Sequence, residues 1–314
     1  MNLVEPKVEF IPQENGLDGL YKKIEFCGRT CYKSEDKITE DSAKGFVDRM
    51  IKSGHGAMLE HGTVYLMEKS WVGSALKKYE HNKYSRYREE YLESEEVEEG
   101  YREHRTGYYV TTNLRVLVEN GWLDDLKFMC EPTEYHEKRY TVKLTTDIGV
   151  TREGNRHRVN SIAEESTRYC NYAKEKFGGE VKVVKHAWFT DEDIEYLNEL
   201  KDSYESLVEY CEEIGTEYEE GWYAIDYWAF AILCSNYCYN KLIENGWVAQ
   251  QARTVLTLST KSDIVYTAFS SDWKHFMDLR LFGTTGKPHP DMLNIAEKIR
   301  DEFEKNNVLY DVLN

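Results

Sequence analysis

Residues 156–169 read RHRVNSIAEESTRY, and their first three side chains, Arg156, His157 and Arg158, are cationic or can become so. Adjacent positive charges repel one another, so the arrangement is easiest to explain if an anionic group lies among them. Guanidinium groups bind phosphate and carboxylate oxygens through paired hydrogen bonds. The stretch therefore predicts a local anion site, to which Ser166 and neighbouring backbone amides add further donors.

Two interpretations of this stretch follow from its spacing. If residues 156–169 are largely helical, several polar side chains share one face because they follow a 3.6-residue repeat. These are His157, Ser161, Glu164 and Arg168. The alternative is an internal ion-pair network in which nearby carboxylates neutralise the arginines. Its members would be Glu153, Glu164 and Glu165 with Arg156, Arg158 and Arg168.

The composition is that of a globular protein without a broad basic surface. The 314 residues carry a formal charge of −17, with 41% hydrophobic and 31% charged side chains. No run approaches the roughly 18 apolar residues of a membrane span, and the amino terminus lacks the apolar core of a signal peptide. We therefore expect a cytoplasmic protein that has neither nucleic acid nor a membrane as a partner.

Several common ligand motifs are missing from the sequence. No Gly-rich dinucleotide fingerprint follows a strand, and no phosphate-binding loop ending in Gly-Lys-Ser/Thr occurs. His55 and His61 are six residues apart, which fits no usual zinc spacing. The near cysteine pairs, Cys27 with Cys31 and Cys234 with Cys238, are spaced i,i+4, unlike CxxC motifs. We expect reduced thiols and no metal site.

Helical and strand patterns do not alternate regularly along the chain, which predicts an α+β fold rather than a doubly wound sheet. Alternating apolar residues predict strands at 62–70, 139–150 and 179–189. A long helix is predicted after its capping residue Thr190, and a second, mostly buried helix at 222–247. The apolar positions of the first are Ile194, Leu197, Leu200, Leu207 and Cys211.

The segment from Trp71 to about Lys138 has a different character. It predicts a charged, Tyr-rich helix, then a mobile acidic stretch at 89–100, then a capped helix at 111–122. If residues 85–105 are peripheral, their deletion should leave an assembled protein with its ligands bound.

The opening stretch resembles a known signature. Arg156-His157-Arg158, seven further residues and Ser166, continuing to Arg168-Tyr169, are similar to the RHRx7S signature of flavin-dependent thymidylate synthases, the thymidylate synthase complementing protein family. Other blocks that resemble this family follow in the family's order. They are CGRTCYKS (27–34), SGHGAMLEHGTVYL (53–66), ARTVLTLS (252–259) and WKHFMDLR (273–280).

The resemblance implies an α+β fold with a twisted, largely antiparallel sheet packed with long helices. One domain would span residues 1–314, with a helical, acidic insertion at about 71–138. The family's activity is the reductive methylation of dUMP to dTMP, in which methylenetetrahydrofolate donates the one-carbon unit, FAD carries the hydride and NADPH is the usual reductant. The resemblance further implies a homotetramer whose flavin sites lie at subunit contacts.

Roles for single residues are also implied by the resemblance. FAD would be contacted by Thr63, Arg156, His157, Arg158, Glu164 and His275. The nucleotide dUMP would be held by Glu153, Arg156, Glu164, Ser166, Thr167, Arg168 and Arg280, with Arg253 joining it across a subunit boundary. Catalysis would depend on Arg280 beside the uracil and His61 beside the flavin. A guanidinium suits the first role because it stays charged while the pyrimidine acquires negative charge.

Four positions depart from the family pattern, namely Glu153, Ala163, Phe269 and Ser271. Two alternatives therefore stay open. One is a related flavin- and folate-dependent transfer of a one-carbon group to a uracil nucleotide, and the other is a nucleotide-binding homologue without turnover. Ser166 is assigned to binding rather than nucleophilic attack, because the sequence shows no histidine–carboxylate relay to activate it.

Overall fold

A computed structural model of the protein describes residues 2–98, 101–199 and 223–314. Its strands are β1 (Asn2–Val4), β2 (Lys7–Phe10), β3 (Thr63–Ser70), β4 (Arg86–Glu98), β5 (Tyr101–Asn113), β6 (Arg139–Asp147), β7 (Ser161–Glu164), β8 (Lys182–Val184) and β9 (Lys261–Phe269). Its helices are α1 (Gly16–Cys31), α2 (Ser42–Ser53), α3 (Gly56–Leu59), α4 (Leu114–Asn120), α5 (Ile148–Gly154), α6 (Asp191–Glu199), α7 (Ala224–Glu244), α8 (Ala249–Ala252), α9 (Ser270–Arg280), α10 (Pro290–Lys305) and α11 (Leu309–Leu313).

The main sheet is antiparallel and has the strand order β2-β6-β9-β7 within the described residues. Strand β9 pairs with β6 along its whole length, from Lys261 opposite Asp147 to Phe269 opposite Arg139. On its other side β9 pairs with β7. Two further strands, β1 and β8, form a separate parallel pair. The prediction of an α+β fold with a largely antiparallel sheet is confirmed.

Both faces of the main sheet are covered, because successive side chains of a strand point in opposite directions. On one face, Ile264, Tyr266 and Ala268 of β9 join a core with the buried aromatic and aliphatic residues of α9 and α10, such as Trp273 and Phe303. On the other face, a smaller cluster places β9 against α1. Its buried members are Cys27, Cys31, Ala163 and Val265. Cys31 and Cys170 are buried, free thiols.

The segment 71–138 contains a long β-hairpin, which the sequence pattern did not predict. Strands β3, β5 and β4 form a three-stranded antiparallel sheet in that order within the described residues. Alternate residues of β5, Tyr108 and Val110, are buried in a core that also contains Leu66 of β3. The predicted Tyr-rich helix is therefore wrong, whereas the capped helix is confirmed as α4. Asn113 caps it by accepting a hydrogen bond from the Val116 amide at 3.2 Å. Of the predicted mobile acidic stretch at 89–100, residues 89–98 belong to strand β4, and residues 99–100 lie outside the described residues.

Residues 85–105 are part of this hairpin and not a peripheral segment. They include all of β4 and the first residues of β5, and β4 pairs with β5 from Arg86 opposite Thr111 onward. Deleting them would leave β5 without a neighbour on one side, and its backbone groups would lose their hydrogen bonds. The segment is part of a sheet, so the condition that it is peripheral is not met. The effect of its deletion on assembly stays a prediction, and we now expect a loss.

The opening stretch is not helical. Helix α5 ends at Gly154, and residues 155–160 form turns in which the His157 amide donates to the Gly154 carbonyl at 3.0 Å. Residues 161–164 then form β7, and the Glu165 amide donates to the Asp263 carbonyl at 2.7 Å. Pairing with β9 thus decides the conformation, and a strand of four residues is too short to show a clear period in sequence. The single polar helical face predicted here does not exist.

Two predicted helices are present in modified form. Thr190 caps α6 as predicted, since its hydroxyl accepts from the Asp193 amide at 3.1 Å and the Asp193 carboxylate accepts from the Thr190 amide. The predicted apolar positions at Leu200, Leu207 and Cys211 lie outside the described residues. Helix α7 buries one face, whereas Tyr227 on it is half exposed, so the prediction of a mostly buried helix is wrong.

The predicted strand at 179–189 is shorter than expected and covers Lys182–Val184. In the part of the chain that the structure describes, no helix has the length and apolar character needed to cross a membrane.

Candidate functional site

Arg280, the last residue of α9, is held by the end of α5 and the turn that follows it. Its Nη1 lies 2.9 Å from Glu153 Oε2, its Nη2 donates to the Glu153 carbonyl at 3.1 Å, and its Nε donates to His157 Nε2 at 3.2 Å. The rings of His157 and His275 are 5.8 Å apart. The structure therefore brings together four predicted residues, and it fixes the Arg280 guanidinium from three directions.

The protonation state of His157 follows from its surroundings. Burial, together with the positive charges of Arg280 and nearby groups, lowers the pKa of His157 to about 4. The imidazole is therefore neutral near pH 7, which agrees with its role as the acceptor of the Arg280 Nε hydrogen. Since His157 is neutral, the positive charge of the Arg280–His157 pair lies on the Arg280 guanidinium.

A second group of predicted residues gathers where β7 leaves the main sheet. Arg253 Nη1 donates to Thr167 Oγ1 at 3.2 Å, and the Ser166 amide donates to the Cys31 carbonyl at 2.9 Å. The Arg168 guanidinium lies over the Tyr169 ring, 5.2 Å from its centroid. The contact between Arg253 and Thr167 lies within one chain. That Arg253 also reaches a nucleotide across a subunit boundary stays a prediction.

The arginines of the opening stretch are not neutralised by the carboxylates proposed for them. Glu165 is paired with Lys33 at 3.1 Å and Lys261 at 2.8 Å. Glu164 accepts hydrogen bonds from Ser262 and Asn155 instead. Within residues 2–98, 101–199 and 223–314, four predicted arginines form no ion pair. They are Arg156, Arg158, Arg168 and Arg253. The ion-pair interpretation of the opening stretch is therefore wrong.

His61 and Thr63 lie beneath the surface rather than on it. His61 is fully buried, and its Nδ1 is 2.8 Å from Thr267 Oγ1. This leaves it no surface for contact with a ligand, contrary to the predicted catalytic contact. Thr63 is also buried, and its Oγ1 accepts a hydrogen bond from Arg139 Nη1 at 3.3 Å. Both residues support the wall of the site from behind.

We expect the buried histidines to make the protein sensitive to mild acid. Burial lowers the pKa of His61 to about 3, and His157 is lowered to about 4. Unfolded histidines titrate near pH 6.5, so below that pH the unfolded state binds protons that the folded state cannot. Stability is fully present above pH 6.5 and should fall by about 1.4 kcal/mol per pH unit for each histidine as the pH drops toward 4.

Urea denaturation at pH 7, 6 and 5 measures this slope directly. The variant His61→Gln should lose part of the pH dependence whatever its absolute stability, while the exposed His81→Gln should keep the wild-type slope. A slope in His61→Gln equal to that of the wild type would show that His61 is not held neutral in the folded protein.

A cavity of about 480 Å³ opens beside the opening stretch, between it and the β-hairpin. Arg158 is the predicted residue that lines it. The cavity is also lined by basic residues that sequence reasoning missed, namely Lys83, Arg86, Arg115 and Arg139. Together with Arg158 these make five basic side chains in the lining. The acidic side chains are Glu60, Glu119 and Asp272, so the net formal charge of the lining is +2.

Arg139, the first residue of β6, is the most buried of these cations. Its Nη1 donates to the Glu60 carbonyl at 3.0 Å and its Nη2 to Ser161 Oγ at 2.9 Å. Its Nε has no hydrogen-bond partner among the described residues, and burial lowers the pKa of Arg139 to about 10. An arginine at the start of an alternating strand is common, so no signal in the sequence could have identified it.

The lining of this cavity fits a ligand that combines anionic groups with planar rings. The guanidinium groups supply donors for phosphate oxygens, and Phe269 and Val159 supply apolar surface. A dinucleotide such as FAD has both features. The residues present are thus of the kind that the predicted cofactor requires.

A separate buried cluster contains Asp147, His186 and Asp291, whose oxygen and nitrogen atoms lie within 4.8 Å of one another. His186 Nδ1 is 2.7 Å from Asp291 Oδ2, and its Nε2 is 3.0 Å from Ser259 Oγ. Since both ring nitrogens are already hydrogen-bonded, a metal ion would have to displace one of these partners. We read the cluster as a link between the first turn of α10 and the segment after β8.

Sequence comparison identifies related proteins. The family model described as "Thymidylate synthase complementing protein" matches residues 132–306. That range contains the opening stretch, Arg253 and Arg280, but neither His61 nor Thr63.

Two curated relatives are similar over shorter segments. A probable flavin-dependent thymidylate synthase of Paramecium bursaria Chlorella virus 1 is 28% identical over 159 residues, which are 51% of this chain and 64% of that protein. A flavin-dependent thymidylate synthase of Corynebacterium aurimucosum is 34% identical over 80 residues, which are 24% of this chain and 32% of that protein. The chain thus spans less than two thirds of the length of either relative.

Solved structures are similar over almost the whole chain but at low identity. The UMP/dUMP methylase PolB of Streptomyces cacaoi, bound with 5-Br dUMP, has a TM-score of 0.39 and 16% identity, covering 99% of this chain and 96% of its own. Thymidylate Synthase X of Helicobacter pylori, with FAD and dUMP, has a TM-score of 0.38 and 13% identity, covering 98% of both chains.

Proposed function

The chain belongs to the thymidylate synthase complementing protein family, because the family model matches residues 132–306, which are more than half of the chain. We therefore propose that the protein is a flavin-dependent thymidylate synthase. The reaction is the reductive methylation of dUMP to dTMP. Methylenetetrahydrofolate donates the one-carbon unit, and NADPH is the reductant. FAD, when bound, supplies the hydride that completes the methyl group.

One observation carries this proposal beyond the family match. Four arginines within the matched range, Arg156, Arg158, Arg168 and Arg253, form no ion pair within the described residues of a chain whose net charge is −17. Cations that a protein leaves unpaired next to one another are suited to an anionic ligand. A nucleotide monophosphate and a dinucleotide cofactor are such ligands.

The two groups of the site divide the work of binding the nucleotide. We assign its phosphate to the hydroxyl and guanidinium donors around Thr167, with Arg253 hydrogen-bonded to that residue. We assign its uracil ring to Arg280, whose charge is held in place by Glu153 and His157. There the guanidinium stabilises the negative charge that develops on the pyrimidine during methyl transfer.

The cofactor is assigned to the positively charged cavity. Arg158 faces it directly, and we propose that Arg156, His157, Glu164 and His275 line the passage from the cavity to the nucleotide. His61 and Thr63 are positioning residues in this proposal, since both are buried and act through Thr267 and Arg139.

Turnover tests the proposal most directly. Purified protein should be yellow and should convert dUMP to dTMP when supplied with methylenetetrahydrofolate and NADPH, and activity should be lost when FAD is removed and return when it is restored. Identification of the product by mass spectrometry separates dTMP from another one-carbon adduct of a uracil nucleotide. A protein that binds dUMP but yields no product under any of these conditions would be the inactive homologue instead.

We further propose that the chain is one domain, that it assembles as a homotetramer and that it acts in the cytoplasm. The domain and the tetramer rest on the resemblance to the family. The cytoplasmic location is supported by the six free cysteines among the described residues, because the cytoplasm keeps thiols reduced. Light scattering of the purified protein measures the mass of the assembly, and a mass of one or two chains would contradict the tetramer.

A further inference from the structure

We propose that the β-hairpin segment between β3 and β6 supplies phosphate-binding residues, Arg86 and Arg115, to the cofactor cavity. The inference rests on the proposed function and extends it to a part of the chain that lies outside the family match. The ligand class is the diphosphate of a dinucleotide cofactor.

Position is the first argument. The lining of the 480 Å³ cavity combines residues of the matched range, such as Arg158 and Phe269, with Tyr84, Arg86 and Arg115 of the hairpin segment. Arg86 is the first residue of β4, and Arg115 is in the first turn of α4. A ligand that fills this cavity beside Arg158 therefore also lies close to the hairpin segment.

Charge is the second argument. Arg86 contacts Glu137 at 3.0 Å and Asp272 at 3.5 Å, and its guanidinium stacks over the Phe269 ring at 4.2 Å. These contacts hold it flat against the wall with one face covered by the ring. Arg115 contacts Glu60 at 2.5 Å and Glu119 at 2.7 Å. Both guanidinium groups are thereby fixed in position, which lowers the conformational cost of binding a phosphate.

Arg139, which is buried, also lines this cavity. Among the described residues it has no carboxylate partner and its Nε is unsatisfied, although the side chain is about nine-tenths buried. An uncompensated buried cation destabilises a protein, and an anionic ligand in the same cavity offsets that cost. Without Arg86 and Arg115 the lining would have three basic and three acidic side chains, so these two residues give the cavity its positive charge.

Exposed apolar surface in the cavity favours a dinucleotide over an inorganic anion as the ligand. Tyr84 and Val159 are exposed by 56% and 62%, and both line the cavity. Exposed apolar surface in the lining suits contact with a planar ring. An inorganic anion would use the arginines but would leave these surfaces unoccupied, whereas a dinucleotide uses both.

Titration of FAD into purified apoprotein tests the inference. Arg86→Ala and Arg115→Ala should each weaken FAD binding about tenfold, since one charged hydrogen bond is lost in each, and dUMP affinity should be unchanged. Arg88→Ala is the matched control, because Arg88 is two residues further along β4, pairs with Glu90 and lines a different cavity. It should bind FAD as the wild type does.

A variant that keeps both arginines also tests the proposed contact between Arg115 and the cofactor. Glu119→Gln removes the carboxylate that competes for Arg115 and should strengthen FAD binding about two- to threefold. Glu119 is exposed on α4, so this variant should fold even if Arg115→Ala does not.

The outcomes separate the two proposals. Wild-type FAD affinity in Arg86→Ala, together with no gain in Glu119→Gln, would overturn the role of the hairpin segment while leaving the synthase proposal intact. A wild-type protein that binds no FAD would overturn both. Equal losses of FAD and dUMP affinity in Arg86→Ala, beyond those of Arg88→Ala, would show a general structural defect and would also overturn the inference.

Discussion

Replacing Arg280 by alanine should reduce kcat by about 100- to 1000-fold, because in the proposed function it removes a fixed positive charge from the place where the uracil ring becomes negatively charged. The geometry makes this guanidinium unusual in the molecule. It is held by Glu153 through both the carboxylate and the backbone carbonyl, and by a neutral His157. Steady-state rates and the dissociation constant of dUMP, measured on the same preparation, distinguish a catalytic loss from a binding loss.

Two further variants define the Arg280 prediction. Arg300→Ala serves as the control, since Arg300 is an exposed arginine of α10 whose partner is Asp301, and its kcat should be unchanged. Arg280→Lys keeps the charge but cannot contact Glu153 and His157 together, so it should recover only part of the rate. Near wild-type kcat in Arg280→Ala would remove this residue from the catalytic machinery.

The double variant Arg168→Ala/Arg253→Ala should bind dUMP at least 100-fold more weakly and should retain its FAD. Each arginine is expected to make a charged hydrogen bond to the phosphate, worth about 1.5–3 kcal/mol, which corresponds to roughly 10- to 100-fold in affinity. Isothermal titration with dUMP, and the flavin absorbance of the same sample, measure the two affinities independently.

Comparison of ligands sharpens this assignment. The loss should be large for dUMP and small for deoxyuridine, which has no phosphate. Lys176→Ala is a suitable control, since this exposed lysine has its contact with Asp36 at 3.5 Å and not with Thr167 or Arg253. Equal losses for dUMP and deoxyuridine in the single variant Arg168→Ala would place the phosphate elsewhere.

How far the sequence predicts this protein depends on whether a feature is local. Helix α4, at Leu114–Asn120, lies within the predicted range 111–122, because its cap and its apolar residues are local signals. The strand β6 was predicted for the same reason, since Tyr140, Val142 and Leu144 alternate with polar residues. In these elements the local pattern and the tertiary environment agree.

The hairpin and β7 could not be predicted in this way, because their conformation depends on distant partners. The seven glutamates at 89–100 are typical of a mobile segment, yet β4 is ordered by pairing with β5. Likewise, residues 161–164 take strand form through β9, about a hundred residues later in the chain. Pairing of this kind overrides local preference.

Some residues of the candidate site could also be predicted from local sequence, and others could not. The arginines at 156, 158, 168 and 253 were found from a motif that is visible in the sequence, and the structure leaves them without ion pairs in its described parts. His61 was assigned a ligand contact that its burial does not allow. The cavity residues Arg86, Arg115 and Arg139 belong to no motif, and they become neighbours only when the hairpin packs against the main sheet.

The charged residues of β4 lie on an edge strand of the three-stranded sheet. Among the described strands β4 pairs with β5 alone, so its outer side presents unpaired amide and carbonyl groups that could recruit a strand of another molecule. Arg88, Glu89 and Glu90 place charges along that side, and a second copy would bring the same charges against them. Charged side chains along this edge thus disfavour pairing with a strand of a second molecule, so the edge of a long hairpin is protected against aggregation.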